Sequence, residues 1–346
     1  MLCPFCLTDT GFKRGKLAGN LGSIYLCPGC NEQVPALYAQ DYGKYPPVVI
    51  SAVGFRQHGK TVYFASLFYT LKKLTLARDW PEFFTMGLNE DSLDTVYGNA
   101  GILESGGLPD STPKNFPRPT MVRAEGVPMQ PNCTLLFFDT GGESFEKPTQ
   151  LVQFAGFVRR AKAAMLLVSV PDLDDPRAGM HKLLNTYVVG LRELGGRTED
   201  QHLVVIYTKA DQLAAGFTGR WAGLRTYLVE GSVEALAQPV GYMPRLRAVS
   251  DRLIEFTEQE LCAYEFLNAA QASFKSVSFS AISALGAGPQ GARLPVAIVP
   301  RRILDPLLWV MEKSFSGPER LWRRWRDQAR RRRRTTRNGG QAGVRG

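Results

Sequence analysis

Five short apolar runs punctuate the chain: Val48 to Val53, Leu135 to Phe138, Ala163 to Val170, Leu203 to Tyr207 and Val277 to Ala281. Each has the length of a buried strand rather than a helix. Between them apolar residues recur at helical spacing: Phe64, Leu67, Phe68, Leu71 and Leu74, then Leu183, Leu184, Tyr187, Val188 and Leu191. A third such set, Leu246, Val249, Leu253, Ile254 and Phe256, falls in the stretch of about 65 residues between Asp211 and Val277. Buried strands alternating with amphipathic helices predict an α/β fold, a mostly parallel sheet covered on both faces with ligands at its carboxyl edge. Gly98 to Pro119 breaks both periods with four glycines and four prolines. It reads as an irregular loop, followed by a strand over Arg118 to Glu125.

The first strand run delivers Gly54-Phe55-Arg56-Gln57-His58-Gly59-Lys60-Thr61, and the first helical pattern follows at once. Strand, glycine loop, helix is the context a phosphate-binding loop requires. Loop N–H groups converge on phosphates, and the new helix turns its positive end toward them. Lys60 is placed to reach the outer phosphates and the Thr61 hydroxyl to hold Mg²⁺. The sequence therefore predicts a nucleoside triphosphate site.

Two later strand ends narrow the ligand. Leu135 to Phe138 leads into Asp139-Thr140-Gly141-Gly142, a carboxylate for the metal and, at Gly142, an N–H for a γ-phosphate. The run to Tyr207 leads into Thr208-Lys209-Ala210-Asp211. Asp211 offers two acceptors to the N1–H and N2 donors of guanine, and the Lys209 stem can lie across the base. Adenine lacks that donor pair, and each charge-assisted hydrogen bond is worth roughly 1.5–3 kcal/mol. Ser280 and Ala281, at the end of the last strand, are read as the guanine O6 contact.

This order of motifs resembles the Ras-like GTPases over about residues 46 to 315. The resemblance implies a Ras-like P-loop domain (46–316) that binds GTP with Mg²⁺ and hydrolyses it to GDP and phosphate. Lys60 and Thr61, Asp139 and Gly142, and Asp211 match its phosphate, metal, sensor and base positions. Three departures stand out. Thr208 replaces the commonest Asn, Glu143 stands where Ras has the water-orienting Gln, and Arg56 and Gln57 fill positions that are small in Ras. The first-switch Thr is assigned to Thr112, with Thr120 the alternative, and the second switch to Phe145 through Ala161. Lys60, Glu143 and Thr112 are thus the candidate catalytic residues. His58 reads as a loop residue, not a base.

Four of the six cysteines form two matched turns, Cys3-Pro-Phe-Cys6 and Cys27-Pro-Gly-Cys30, separated by 20 residues. Two such turns facing one another complete a four-thiolate Zn²⁺ site, and a module of residues 1–38 is too small to fold without a staple. A redox pair is the rival reading. The module reads as structural and self-contained, joined by a linker over Ala39 to Pro47. With this amino-terminal module the chain looks most like the bacterial double-GTPase group associated with predicted conflict systems.

Charge changes the picture only at the carboxyl end. The chain carries +10, of which residues 318–346 hold +9, including the unbroken Arg330 to Arg334. The rest is near neutral. Trp322 and Trp325 stand among Arg320, Arg323, Arg324 and Arg326, so the tail (317–346) is a candidate contact for nucleic acid or for an anionic membrane. No apolar run reaches the roughly 18–20 residues of a spanning helix, and no signal peptide opens the chain. The expected setting is cytoplasmic. No effector is legible.

Overall fold

The computed structural model describes residues 1–16, 23–72, 76, 78, 80, 82–113, 115–229, 241–288, 294 and 297–326. Leu74 and Arg330 to Arg334 lie outside these. The chain opens with a small antiparallel sheet, β1 (Lys13–Lys16), β2 (Ser23–Leu26) and β3 (Gln33–Val34), and a short helix, α1 (Ala36–Gln40). A seven-stranded sheet follows, made of β4 (Pro47–Val53), β5 (Phe84–Gly87), β6 (Thr120–Glu125), β7 (Cys133–Phe138), β8 (Ala163–Val168), β9 (His202–Tyr207) and β10 (Ser276–Ala281). Its order is β10-β9-β8-β4-β7-β6-β5. The five strands from β10 to β7 pair parallel, and β6 and β5 add antiparallel at one edge. The expected α/β fold with a mostly parallel sheet is what the chain adopts. The edge strand β5 had no counterpart in the apolar pattern, because its side chains are half-buried or exposed.

Alternation within the strands builds two cores. Val49 and Val53 of β4 and Leu136 and Phe138 of β7 point to one face, while Val48, Ile50, Leu135 and Phe137 point to the other. Crossover helices supply the layers: α2 (Lys60–Lys72), α3 (Glu90–Glu104), α4 (Pro148–Phe154), α5 (Pro176–Glu193), α6 (Ala210–Leu213), α7 (Ala222–Val229), α8 (Tyr242–Gln259), α9 (Tyr264–Ser273) and α10 (Asp305–Ser314). Phe64, Leu67, Phe68 and Leu71 of α2 join the second core, and Leu183, Leu184, Tyr187 and Leu191 of α5 the first. The helix expected around Leu246 to Phe256 is α8. A buried carboxylate ties this region on: Asp305 of α10 accepts from the hydroxyls of Tyr227 (α7) and Tyr242 (α8). Arg302 stacks on the Tyr227 ring at 3.6 Å.

Three sequence readings need correction. Gly98 to Pro119 is not irregular throughout, because α3 runs through Gly98 and Gly101 to Glu104. Asn89 caps it by accepting from Ser92 N–H at 3.1 Å, and Ala100 and Leu103 are buried. Capping and packing together offset the glycine cost of about 1 kcal/mol per residue. The strand after the loop starts at Thr120, once Pro119, which cannot donate to the ladder, has passed. Nor is Ala39 to Pro47 a loose linker. Tyr45 is buried with its hydroxyl on Glu125 at 2.6 Å, and Asp41 pairs with Arg123 at 2.9 Å. No described helix is long and apolar enough to cross a membrane.

Candidate functional site

β4 ends beneath a loop whose Gly59 has φ +79°, a left-handed turn that glycine takes without Cβ strain. The loop reverses so that α2 begins at Lys60, aimed over the carboxyl edge of the sheet. The Lys60 ammonium is buried and donates to the carbonyls of Gly54 at 2.8 Å and Phe55 at 3.0 Å. Burial pulls its pKa down to about 8, against the attraction of Asp139 and Glu143. His58 is buried behind the loop, its Nδ1 on the Leu167 carbonyl at 3.0 Å. Burial pulls its pKa to about 4, so it is a neutral structural imidazole. The Thr208 hydroxyl donates to the His58 carbonyl at 3.1 Å, tying the loop after β9 to the glycine loop after β4.

Three oxygens meet beside Lys60. Thr61 Oγ1 and Thr112 Oγ1 lie 2.5 Å apart, and Thr112 Oγ1 donates to Asp139 Oδ2 at 2.7 Å. Asp139 Oδ1 is enclosed and has no hydrogen-bond partner. Burial raises the Asp139 pKa, against the hydroxyls of Thr112 and Thr61 and the charge of Lys60. Two hydroxyls and a carboxylate with an orphaned oxygen form a donor set that fits a hard divalent cation. Thr120, the alternative, starts β6 opposite Phe137 and is not part of this group. Gly142 lies against the loop so tightly that a Cβ would meet Arg56 N at 2.4 Å. Next to it, Glu143 Oε1 pairs with Arg56 Nη2 at 2.5 Å.

These groups border one cavity of about 790 Å³, lined by Arg56, Gln57, Gly59, Lys60 and Thr61, by Thr112, Gly142 and Glu143, and by Thr208, Lys209 and Asp211. Gly54, His58 and Asp139 stand behind its wall. At the far side of the motif order, Lys209 adopts φ +52° and its ammonium meets Asp172 at 2.5 Å. Asp172 in turn accepts from Ser169. Ser283 Oγ donates to Asp211 Oδ1 at 2.5 Å and accepts from Gly286 N–H at 3.0 Å.

Ser280 and Ala281 lie at the end of the last strand, away from the cavity lining. Both are buried within β10, opposite Ile206 and Tyr207, and the cavity is lined instead by Ile282, Ala284 and Leu285. Around the end of β10 the pair Ser-Ala occurs at 280–281 and again at 283–284, and it is Ala284 of the second that lines the cavity. Ser283 and Asp172 were missed in the sequence. The repeated Ser-Ala was a usable signal for the first, and nothing local marked the second.

The four amino-terminal cysteines bring their sulfurs within 4.8 Å of one another, all free of disulfides. Cys3 and Cys30 are 3.8 Å apart and Cys6 and Cys27 3.7 Å. A tetrahedron with Zn–S of about 2.3 Å has edges of about 3.8 Å, so the donor set fits Zn²⁺.

No family model and no curated protein matches the chain. Among solved structures it is similar to the GTPase-like domain of Ski7 from S. cerevisiae bound to GTP, at 15% identity and a TM-score of 0.36, over 80% of this chain and 52% of that one. It is also similar to SsGBP in complex with GDP (13%, TM-score 0.28, 69% and 45%) and to Sup35 complexed with GDP (13%, TM-score 0.30, 74% and 41%). The chain thus spans about half the length of the solved structures it matches. Likeness this remote leaves the chemistry of the site to its own residues.

Proposed function

We propose that this chain is a GTP-driven switch. A Ras-like domain over 46–316 binds GTP with Mg²⁺ and hydrolyses it to GDP and phosphate, a zinc ribbon over 1–38 braces it, and an arginine-rich tail follows at 317–346. The observation that carries the reading is the meeting of Thr61, Thr112 and Asp139 beside Lys60, with the second carboxylate oxygen of Asp139 enclosed and orphaned. Those three residues would hold Mg²⁺, which when bound neutralises charge on the β- and γ-phosphate oxygens. Lys60 adds its ammonium on the same oxygens, and the N–H groups of the loop and of the first turn of α2 cradle them. Asp211, oriented by Ser283, accepts from the guanine edge, and Lys209, oriented by Asp172, lays its stem on the base. Water then attacks the γ-phosphorus in line, and the bond to the β–γ bridging oxygen breaks with its electrons leaving on GDP. Glu143 is nearest to position that water. A regulatory role, of the kind associated with the bacterial double-GTPase group, belongs to the same proposal.

One observation favours a second reading. Glu143 is a carboxylate already engaged by Arg56, which suits a scaffold that holds GTP and hydrolyses it slowly. Phosphate release over many turnovers with GTP and with ATP, alongside direct binding measurements, tests both readings. Release with GTP alone supports the switch enzyme, and tight GTP binding without release supports the scaffold. Preference for ATP would overturn both.

A further inference from the structure

Beyond α10, residues 317–326 form another helix. An ordinary surface helix turns its apolar stripe to the core. Here Leu321, Trp322 and Trp325, which share one face, are 65%, 54% and 67% exposed. The arginines are the residues turned toward the body. Arg320 pairs with Glu312 at 3.4 Å, and Arg323 pairs with Glu319 at 2.9 Å and lies 5.7 Å from the Phe315 ring. Arg324 reaches the Met129 sulfur at 3.4 Å, and Arg326 reaches the Gly43 carbonyl at 3.5 Å. The helix is held by its polar side with its apolar side facing out.

The charge of this end of the chain identifies what covers the face. Residues 318–346 carry +9 of the chain's +10, so the complementary surface is anionic. A single-stranded nucleic acid would stack on the indoles, beside which Arg326 lies 4.8 Å from the Trp322 ring, but it offers nothing to the aliphatic Leu321, whose exposed side chain an acyl boundary would cover. The observed arrangement is that of an interfacial helix. Indole and leucine side chains enter the boundary between headgroups and acyl chains, while long arginine stems reach back to the lipid phosphates.

We propose that helix 317–326 is a docking face for an anionic membrane surface, with Leu321, Trp322 and Trp325 inserted and the following arginines as its electrostatic partner. Attachment is peripheral and reversible, because one short apolar stripe and one polybasic segment each bind weakly and hold only together. The proposal is independent of the nucleotide reading.

Full-length protein is floated with vesicles of phosphatidylcholine alone and of phosphatidylcholine mixed with phosphatidylglycerol, at low and high salt. Lipids brominated in their acyl chains report insertion by quenching indole fluorescence. Trp80, Trp221 and Trp309 are buried, so quenching reports on Trp322 and Trp325. Expected are binding to the anionic vesicles only, quenching by brominated lipid, and a loss of about tenfold or more in the Trp322→Ala/Trp325→Ala variant, which keeps every arginine. Leu321→Asp is expected to lose binding similarly, and since all three side chains are exposed the variants retain the fold. Unquenched indoles on anionic vesicles would overturn the proposal, as would a double variant that binds as well as the wild type. Tight binding of a short single-stranded RNA by protein that ignores anionic vesicles would overturn it in favour of nucleic acid.

Discussion

Asp211 is oriented before any base arrives, since Ser283 already occupies one of its lone pairs and leaves the others for a ligand edge. Asp211→Asn is expected to weaken GTP by about 10²-fold or more, two charge-assisted hydrogen bonds being lost. The same variant should gain xanthosine triphosphate, whose edge complements an amide. Ser283→Ala removes the orienting bond, and with it the acceptor of Gly286 N–H, and should cost about fivefold in GTP affinity. Titrations with both nucleotides check this, and an unchanged preference in Asp211→Asn would place the base elsewhere. Glu143→Gln tests the catalytic side. It replaces the carboxylate paired with Arg56 by an amide able to orient water, and turnover should rise several-fold, while an unaltered rate would remove Glu143 from the water's path. His58 sets an acid limit on stability. Burial holds its pKa near 4 in the fold against an ordinary 6.5, so the unfolded chain binds a proton first as pH falls. The stability it contributes is complete above pH 6.5 and drains away toward about 4. Thermal melts across that window should show a shallower decline in His58→Asn than in the wild type.

The cysteine module is more than a bead on a string. Leu2, Cys3, Leu7, Cys27, Val34 and Tyr38 belong to the same core as Val49, Phe138 and Leu151 of the main body. Its knuckles also hold both segments that flank the candidate metal ligands. Glu32 pairs with Arg118 at 2.8 Å and Phe5 lies beneath that guanidinium, while Asp9 pairs with Arg160 at 2.9 Å. Phe116 connects the two segments through Phe138 and Phe157. The expectation of a self-contained staple is therefore replaced by one of coupling. Stripping the metal with a chelator should lower the melting temperature of the whole chain and speed nucleotide release several-fold. Release as slow as in the untreated protein would separate the module from the site. Arg118→Ala and Arg160→Ala alone should each change release by only about two- to fivefold, the scale of an exposed ion pair.

At the scale of the whole molecule, charge is divided between a near-neutral body and a basic carboxyl end. What the sequence determined by itself was local. The glycine loop, the strand runs and the paired Cys-x-x-Cys turns each lie within a few residues, and their chemistry follows from backbone geometry and spacing. That was enough for an α/β sheet, a glycine loop bordering a cavity at its carboxyl edge and a four-cysteine cluster. What only the tertiary structure decided depends on pairs distant in sequence. Thr112 meets Thr61 and Asp139 across 51 and 27 residues, and Glu143 meets Arg56 across the loop. Of the two Ser-Ala pairs near the end of β10, register with β9 keeps the first in the sheet and leaves Ala284 of the second at the cavity. Glycines that break a helix in isolation are carried within α3, because its Asn89 cap and buried Ala100 and Leu103 outweigh their entropy. The face of helix 317–326 was likewise undecided until its arginines found Gly43, Met129 and Glu312. Local propensity is blind to partners that approach only after the chain has folded.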